Sequence, residues 1–453
     1  MQDKPHIPYY EKFGHFGGAI TMDIFWQLFG MFLLYFYTDI FGISAAAAGT
    51  MFFVARIWDA ANDPLCGLLA DRTRTRIGRF RPWLLGAVVP FAVFAILTFT
   101  TPDLSPAGKL IWAYITYIGV GMACTAIEIP KTSLLGVSTP DTMDRTGLAS
   151  WKMSGSYVGC IIAQGMTLWL VQKLGAGSEQ AGFRNTMVLY AVMTVISLVY
   201  LAAVARERVA PVVEKQASIK TDLKAIVTAR PWLVLLIASM PMMLSVCVRN
   251  GAIIYYFKYY IGNETLAASY MVTGAVACLI GTFFMKPLVQ LMGKRRLFSI
   301  MNLIMAVAVG ACFFPNPDQL VLLYVLQFII AVSNGPIYVL TTAMYADIAD
   351  YIEVRDGTRQ TGLVYSASGF VLKFGWAMGG AVAGWVLASV GFVPNVEQTP
   401  EAMNGIRHMI STIPAIPALF AALLIFAYPL TEARVKQISD ELKNLRNNSE
   451  KKN

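Results

Sequence analysis

The 453-residue chain reads as an all-α polytopic membrane protein, with twelve transmembrane helices in two six-helix bundles. Three observations lead there. Charged residues make up 14% of the chain and hydrophobic residues 56%, whereas a soluble domain carries about 25% charged residues. Apolar stretches recur that reach the ~20 residues needed to cross ~30 Å of hydrocarbon. One long basic segment, 205–231, parts these stretches into two sets of six. The stretches are about twice the length of a barrel strand and show no alternation. They are therefore read as helices, which satisfy their own backbone polar groups inside lipid.

Taken in order, the first bundle (1–204) holds spans near 17–38, 45–70, 83–102, 108–135, 147–172 and 184–204. Residues 205–231 form a linker containing Pro211 and several charges, expected to hold at most a short surface helix. The second bundle (232–430) holds spans near 232–260, 266–292, 297–315, 319–346, 362–391 and 407–430, and a polar tail follows from 431 to 453. A basic loop follows the second span of each half, at 71–81 and at 293–296, a weak parallel repeat. Two such halves around a midplane site make a transporter plan that works by rocking.

Charge sets the orientation. Arg72, Arg74, Arg76, Arg79 and Arg81 follow span two, "GKRR" follows span eight, and the linker and tail are rich in Lys and Arg. The opposite loops, such as "TPDLSPAGK" and "FPNPDQ", are nearly free of them. The positive-inside bias places both termini and the linker in the cytoplasm, and a bacterial-type inner membrane is the expected location. The formal net charge of +9 is spread over separate membrane-flanking loops, so it gives no nucleic-acid surface. The six cysteines all lie in apolar stretches without a CxxC pair and read as packing residues, and the three histidines are scattered. No zinc site, no cofactor and no amino-terminal signal peptide are expected.

The second span contains "RIWDAANDPLCG". Arg56, Asp59 and Asp63 are spaced i, i+3, i+7 and share one helix face. Each buried charge costs about 2.5–3.5 kcal/mol in a membrane, so three on one face call for partners or an aqueous cavity. Pro64 and Gly67 should loosen the helix and free backbone oxygens. Paired carboxylates with free oxygens suit a hard cation or a held proton. The alternative is a structural ion pair in which Arg56 neutralises one carboxylate.

Other intramembrane charges join this row: Asp23 in span one, Glu128 in span four one turn after Thr125 with Lys131 a further turn on, Lys152 in span five, Arg249 and Lys258 in span seven, and Lys373 in span eleven. Trp26, Tyr255, Tyr256, Tyr338 and Trp376 interleave with them. Carboxylates that accept from hydroxyls, cations that donate and aromatics that stack make a sugar-binding inventory. Each aromatic alone reads more readily as packing or interface anchor, and Lys258, near a span end, as snorkelling.

These motifs carry a resemblance over nearly the whole chain. "FYTDIFGISAAAAGTMFFVARIWDAANDPLCG", "DRTRTRIGRFRPW", "EIP" at 128–130, "ADIADYIEVRDGTRQTG" and the lysine of "GLVYSASGFVLKFGWAMGGA" resemble the glycoside–pentoside–hexuronide:cation symporter family of the major facilitator superfamily. The resemblance implies that Asp59, Asp63 and Thr125 bind the coupling cation, Na+ or H+. It implies that Asp23 and Glu128 bind sugar hydroxyls, and that Lys373 lies near both sites. The chain departs from the family pattern where a sugar-stacking tryptophan falls at Thr132, where an arginine aligns near Met153 beside Lys152, and at Lys131, which replaces an aromatic. Galactoside specificity is therefore not carried over.

The expected function is symport of a glycoside, oligosaccharide or uronide with a monovalent cation by alternating access, in a monomer within the bilayer. A sugar receptor without net transport is the alternative. An enzyme is not expected, since HExxH, GxSxG and Cys–His clusters are absent, and no Walker loop marks a pump. Expected substrate contacts are Asp23, Glu128, Lys131, Lys152, Arg249, Tyr338, Lys373 and Trp376. Arg79, Asp347, Asp350 and Glu353 are expected to gate the cytoplasmic side. An anionic sugar would give Lys131 a partner; a Lys131–Glu128 pair at i, i+3 would leave a neutral-sugar site.

Overall fold

The computed structural model describes residues 7–139, 142–208, 226–356 and 361–450. Most of the central linker, and the surface helix expected in it, lie outside the described residues. The main helical segments are α1 Tyr9–Ile40, α2 Ala45–Arg72, α3 Arg81–Thr98, α4 Pro106–Val137, α5 Thr142–Gly175 and α6 Glu179–Val204. After the linker come α7 Arg230–Ile261, α8 Thr265–Met292, α9 Lys294–Ala311, α10 Leu320–Asp356, α11 Thr361–Ser389, α12 Pro400–Ala427 and the polar α13 Glu432–Glu450.

Among the described residues, nine of these helices are long and apolar enough to cross a membrane by length and composition alone. Helices α2 and α9 fall short of that measure for a physical reason. Helix α2 carries Arg56, Asp59 and Asp63 in its interior, and α9 opens on Lys294, Arg295 and Arg296. In α11 the apolar part is Phe374–Ser389. Large apolar side chains such as Ile115, Ile196, Phe283, Val321 and Phe420 stand exposed on the helix surfaces, as lipid-facing helices require.

The chain forms two compact units. The first comprises Met1–Val212 with Asn263–Val272 and Gly384–Thr399. Its tightest packing joins α1 to α5. The glycines of "GSYVG" make this possible: a Cβ on Gly155 would come 2.3 Å from the Phe16 carbonyl oxygen, and one on Gly159 the same distance from that of Ile20. Bare backbone there lets two helices touch, the membrane device of small residues four apart. Asn263–Val272 and Gly384–Thr399 join this unit through polar contacts at α1. Tyr35 donates to Glu264 at 3.5 Å, and the Asn395 amide bonds the Asp39 carbonyl.

The second unit comprises Val213–Gly262, Thr273–Ala383 and Pro400–Asn453. Its core gathers Trp232, Leu235, Met242, Phe298, Met305, Ile337, Met344 and Ile348, and α13 adds Ile438 and Leu442. The opening helices of the two halves end alike. Helix α1 widens into π-helical turns at Leu28–Phe32 and Phe36–Ile40 and stops at Gly42 (φ +79°). Helix α7 widens at Tyr256–Ile261 and stops at Gly262 (φ +75°). This likeness strengthens the parallel repeat that the basic loops suggest.

Candidate functional site

Helix α2 begins with an alanine run capped by Ser44, whose hydroxyl accepts the Ala47 N–H at 3.3 Å. Alanine favours helix strongly, and the helix continues unbroken to Arg72, through the positions of Pro64 and Gly67 where loosening is expected. Proline still has no N–H to give to the carbonyl one turn earlier. The charged row is half solvated at most: the Arg56 and Asp59 side chains are each 12% exposed. Arg56 donates from Nη1 to Asp59 Oδ2 at 2.7 Å and from Nη2 to the Tyr117 hydroxyl at 3.4 Å. Its guanidinium lies 5.6 Å from the centre of the Trp26 ring.

Asp63 is treated differently. Thr125 on α4 donates its hydroxyl proton to Asp63 Oδ1 at 2.9 Å. Between Tyr117 and Thr125 lies Gly121, where a Cβ would come 3.3 Å from Asp59 Oδ1. Tyr117, Gly121 and Thr125 follow at i, i+4, i+8, so one stripe of α4 faces the charged row of α2. The structure thus brings Asp59, Asp63 and Thr125 together. It sets Arg56 against Asp59 and the Thr125 hydroxyl against Asp63. Sequence reasoning found Thr125 but passed over Tyr117 and Gly121; their four-residue spacing to Thr125 was the available signal.

A second cluster lies in the same unit. The Lys131 ammonium bonds the Glu128 carboxylate one turn back on α4, with side chains 4% and 24% exposed. Asp23 on α1 lies beside Ser156, and Lys131, Glu128 and Lys152 all lie within electrostatic range of it. Lys152 and Ser156 flank Gly155 on α5, so the close contact of α1 with α5 is what sets them beside Asp23. His15, two turns before Asp23, is buried near Lys131 and Lys152, and its Nε2 makes no hydrogen bond. Ser156 and His15 were not singled out from sequence. Serine in a span carries no signal of its own, and His15 reads as part of a polar amino-terminal stretch.

The remaining residues lie in the second unit. Arg249 on α7 is 5% exposed and donates from Nη2 to Gln327 Oε1 on α10 at 2.6 Å. Tyr338 directs its hydroxyl to Met243 Sδ at 3.5 Å, and Trp376 is half-buried on α11. The Lys373 side chain lies outside the described residues. Tyr255 and Tyr256 are fully buried and Tyr256 packs on Tyr260, 5.0 Å between ring centres; Lys258 lies over the Tyr259 ring. Of the expected gating residues, Asp347 is bonded by Lys294 of its own unit at 2.6 Å. Asp350 and Glu353 are half-buried on α10. Arg79 is held through its backbone: its N–H points at both Glu207 oxygens, 2.9 Å each, while its guanidinium lies beside Phe80.

Two helical units with lipid-facing surfaces, opening helices that end alike and intramembrane carboxylates lined by hydroxyls and cations define a polytopic membrane transporter. The sequence model of the family described as "MFS/sugar transport protein" matches residues 14–432. The chain belongs to this family, the glycoside–pentoside–hexuronide group of the major facilitator superfamily. It is 34% identical over 435 residues to the inner membrane symporter YicJ of Escherichia coli (strain K12), covering 95% of this chain and 94% of that protein. It is 32% identical over 442 residues to the isoprimeverose transporter of Lactiplantibacillus pentosus, covering 96% and 92%. A crystal structure of a bacterial homologue of the human lysosomal transporter Spinster shares the fold, with a TM-score of 0.70 over 94% of this chain and 97% of that one at 14% identity.

Proposed function

We propose that the protein is a secondary transporter that carries a glycoside or oligosaccharide together with a monovalent cation by alternating access. The observation that carries this reading is the meeting of two α2 carboxylates with the Thr125 hydroxyl of α4. Asp59 is met by Arg56 and Asp63 by the Thr125 hydroxyl. Two carboxylates one turn apart, one of them accepting from the Thr125 hydroxyl, offer oxygen ligands to a single Na+ or a place to hold a proton. A cation on Asp63 would draw oxygen ligands from Thr125, Asp59 and the carbonyl that Pro64 leaves without a donor. The arrangement supports a cation site ordered between α2 and α4.

The sugar half of the site rests on Asp23 and Glu128. Ionised carboxylates are strong acceptors for hydroxyl groups, and both are buried enough to act in a low dielectric. Glu128 sits one turn beyond Thr125 on α4, so cation binding that settles α4 against α2 also settles a sugar acceptor. That shared helix gives the coupling a physical route: one ligand binds better when the other is present. Lys131 bonded to Glu128 favours a neutral glycoside, since the ammonium already has its counter-charge. The names of the relatives, a symporter and an isoprimeverose transporter, support the same class of cargo.

The name of the Escherichia coli inner membrane symporter supports a bacterial inner-membrane location, the distribution of Lys and Arg supports both termini in the cytoplasm, and a monomer suffices for the mechanism. The test is uptake of a panel holding isoprimeverose, melibiose and a glucuronide, with and without a Na+ gradient at fixed pH. Accumulation of a neutral glycoside that collapses when the cation gradient is removed supports the proposal. Sugar binding with no counterflow of labelled sugar would instead make the protein a receptor.

A further inference from the structure

The transport site uses neither Glu207 nor Glu432, yet the two glutamates do the same thing in different units. In the first unit the turn Thr75–Gly78 is closed by the Thr75 hydroxyl on the Gly78 carbonyl at 2.8 Å, and Gly78 is left-handed (φ +115°). The next two amides, of Arg79 and Phe80, donate to the Glu207 carboxylate, each bond 2.9 Å. In the second unit Gly293 is left-handed (φ +79°), and the next amide, of Lys294, donates to Glu432 Oε1 at 2.7 Å. In both places the glutamate fills the space a side chain would need. A Cβ on Gly78 would come 2.5 Å from Glu207 Oε1, and one on Gly293 2.8 Å from Glu432 Cγ.

The likeness extends to a second bond. Arg81, in the first turn of α3, donates to the Ala202 and Ala203 carbonyls at the end of α6. Arg295, in the first turn of α9, donates to the Tyr428 carbonyl just past α12 at 3.2 Å. In each half the loop after the second helix is thus tied to the chain leaving the sixth. The first tie spans 128 residues of sequence and the second 138. Free amides at a helix start and a carboxylate make a charge-assisted bond that the helix dipole reinforces.

We propose that Glu207 and Glu432 are equivalent latches, one per unit, that fix the basic loop after the second helix of each half and act as positioning residues in the transport cycle. The Glu432 latch holds the backbone of Lys294 where its ammonium meets Asp347 on α10. The Glu207 latch holds the arginine-rich loop, and its neighbour Arg208 bonds Glu11 of α1 and the carbonyl of Ser138 past α4. Each latch makes its end of the unit move as one block. Their place in the cycle rests on the proposed transport function; the latches themselves do not.

Hydrogen exchange of the full chain in detergent tests the latches without any sugar. Glu207→Ala should speed exchange of the Arg79 and Phe80 amides at least tenfold and leave Lys294 unchanged, and Glu432→Ala should do the reverse. Gly78→Ala should open the first latch by the other route, and its effect should not add to that of Glu207→Ala. Glu207→Gln, which keeps an acceptor oxygen, should fall between the wild type and the alanine variant. In vesicles given labelled isoprimeverose, each alanine variant should lower the maximal uptake rate at least threefold with KM within twofold. Unchanged amide exchange, or additive effects of Gly78→Ala and Glu207→Ala, would overturn the latch. Amides released as expected with an unchanged uptake rate, or with a raised KM alone, would overturn its place in the cycle.

Discussion

The Thr125 hydroxyl donates to Asp63 Oδ1 at 2.9 Å, joining α4 to α2 one turn from the Arg56–Asp59 pair. One turn further along α4 lies Glu128, the acceptor proposed for the sugar. On that proposal a cation at Asp63 acts on the helix that also carries the sugar acceptor.

Asp63→Asn should abolish gradient-driven sugar accumulation while leaving folding nearly intact, because the amide oxygen still accepts from Thr125. Asp59→Asn should abolish accumulation and also cost stability, since it strands the buried Arg56; breaking a buried pair costs about 3–5 kcal/mol. Uptake assays beside thermal unfolding in detergent separate the two outcomes. Undiminished stability in Asp59→Asn would contradict the buried Arg56–Asp59 pair.

Gly159→Leu should separate α1 from α5 and carry Asp23 away from Ser156 and Lys152. Overpacking of this kind costs about 1–3 kcal/mol, and sugar affinity should fall at least tenfold. Equilibrium binding of the glycoside selected by the uptake panel measures it; unchanged affinity would remove Asp23 from the sugar site.

Lys131→Met leaves Glu128 without its ammonium. Binding of neutral and anionic glycosides should then fall together. Loss confined to the anionic sugar would show that Lys131 meets the substrate and that the cargo is a uronide-like anion.

Arg79→Glu places a carboxylate beside Glu207. It should slow transport several-fold and change sugar affinity less than twofold, because Arg79 lies in a loop at the start of α3 and not at Asp23 or Glu128. A large loss of affinity with an unchanged rate would contradict that placement.

Much of this was legible in the sequence. Long apolar runs gave the spans, and charges inside them marked Asp23, Asp59, Asp63, Glu128, Lys131 and Lys152, because a buried charge is too costly to be incidental. What stayed hidden were partners without charge or periodicity. Tyr117 and Gly121 matter through a facing helix more than 50 residues away in sequence. Ser156 matters only because Gly155 and Gly159 let α5 touch α1. Glu207 and Glu432 sit among other charges outside the spans, where a carboxylate reads as solvated surface. Their targets are backbone amides, which no residue type announces. The π-helical ends of α1 and α7 likewise leave no mark in an apolar pattern.

The central claim is that sugar and cation move together through the Asp59–Asp63–Thr125 site. The most direct test is cation flux driven by sugar: purified protein in liposomes, an imposed inward gradient of the selected glycoside, and entry of Na+ or of protons recorded with the sugar. The account predicts that sugar entry carries a monovalent cation inward in the wild type and that Asp63→Asn carries none. Sugar entry without any cation flux in the wild type, or undiminished cation flux in Asp63→Asn, would contradict it.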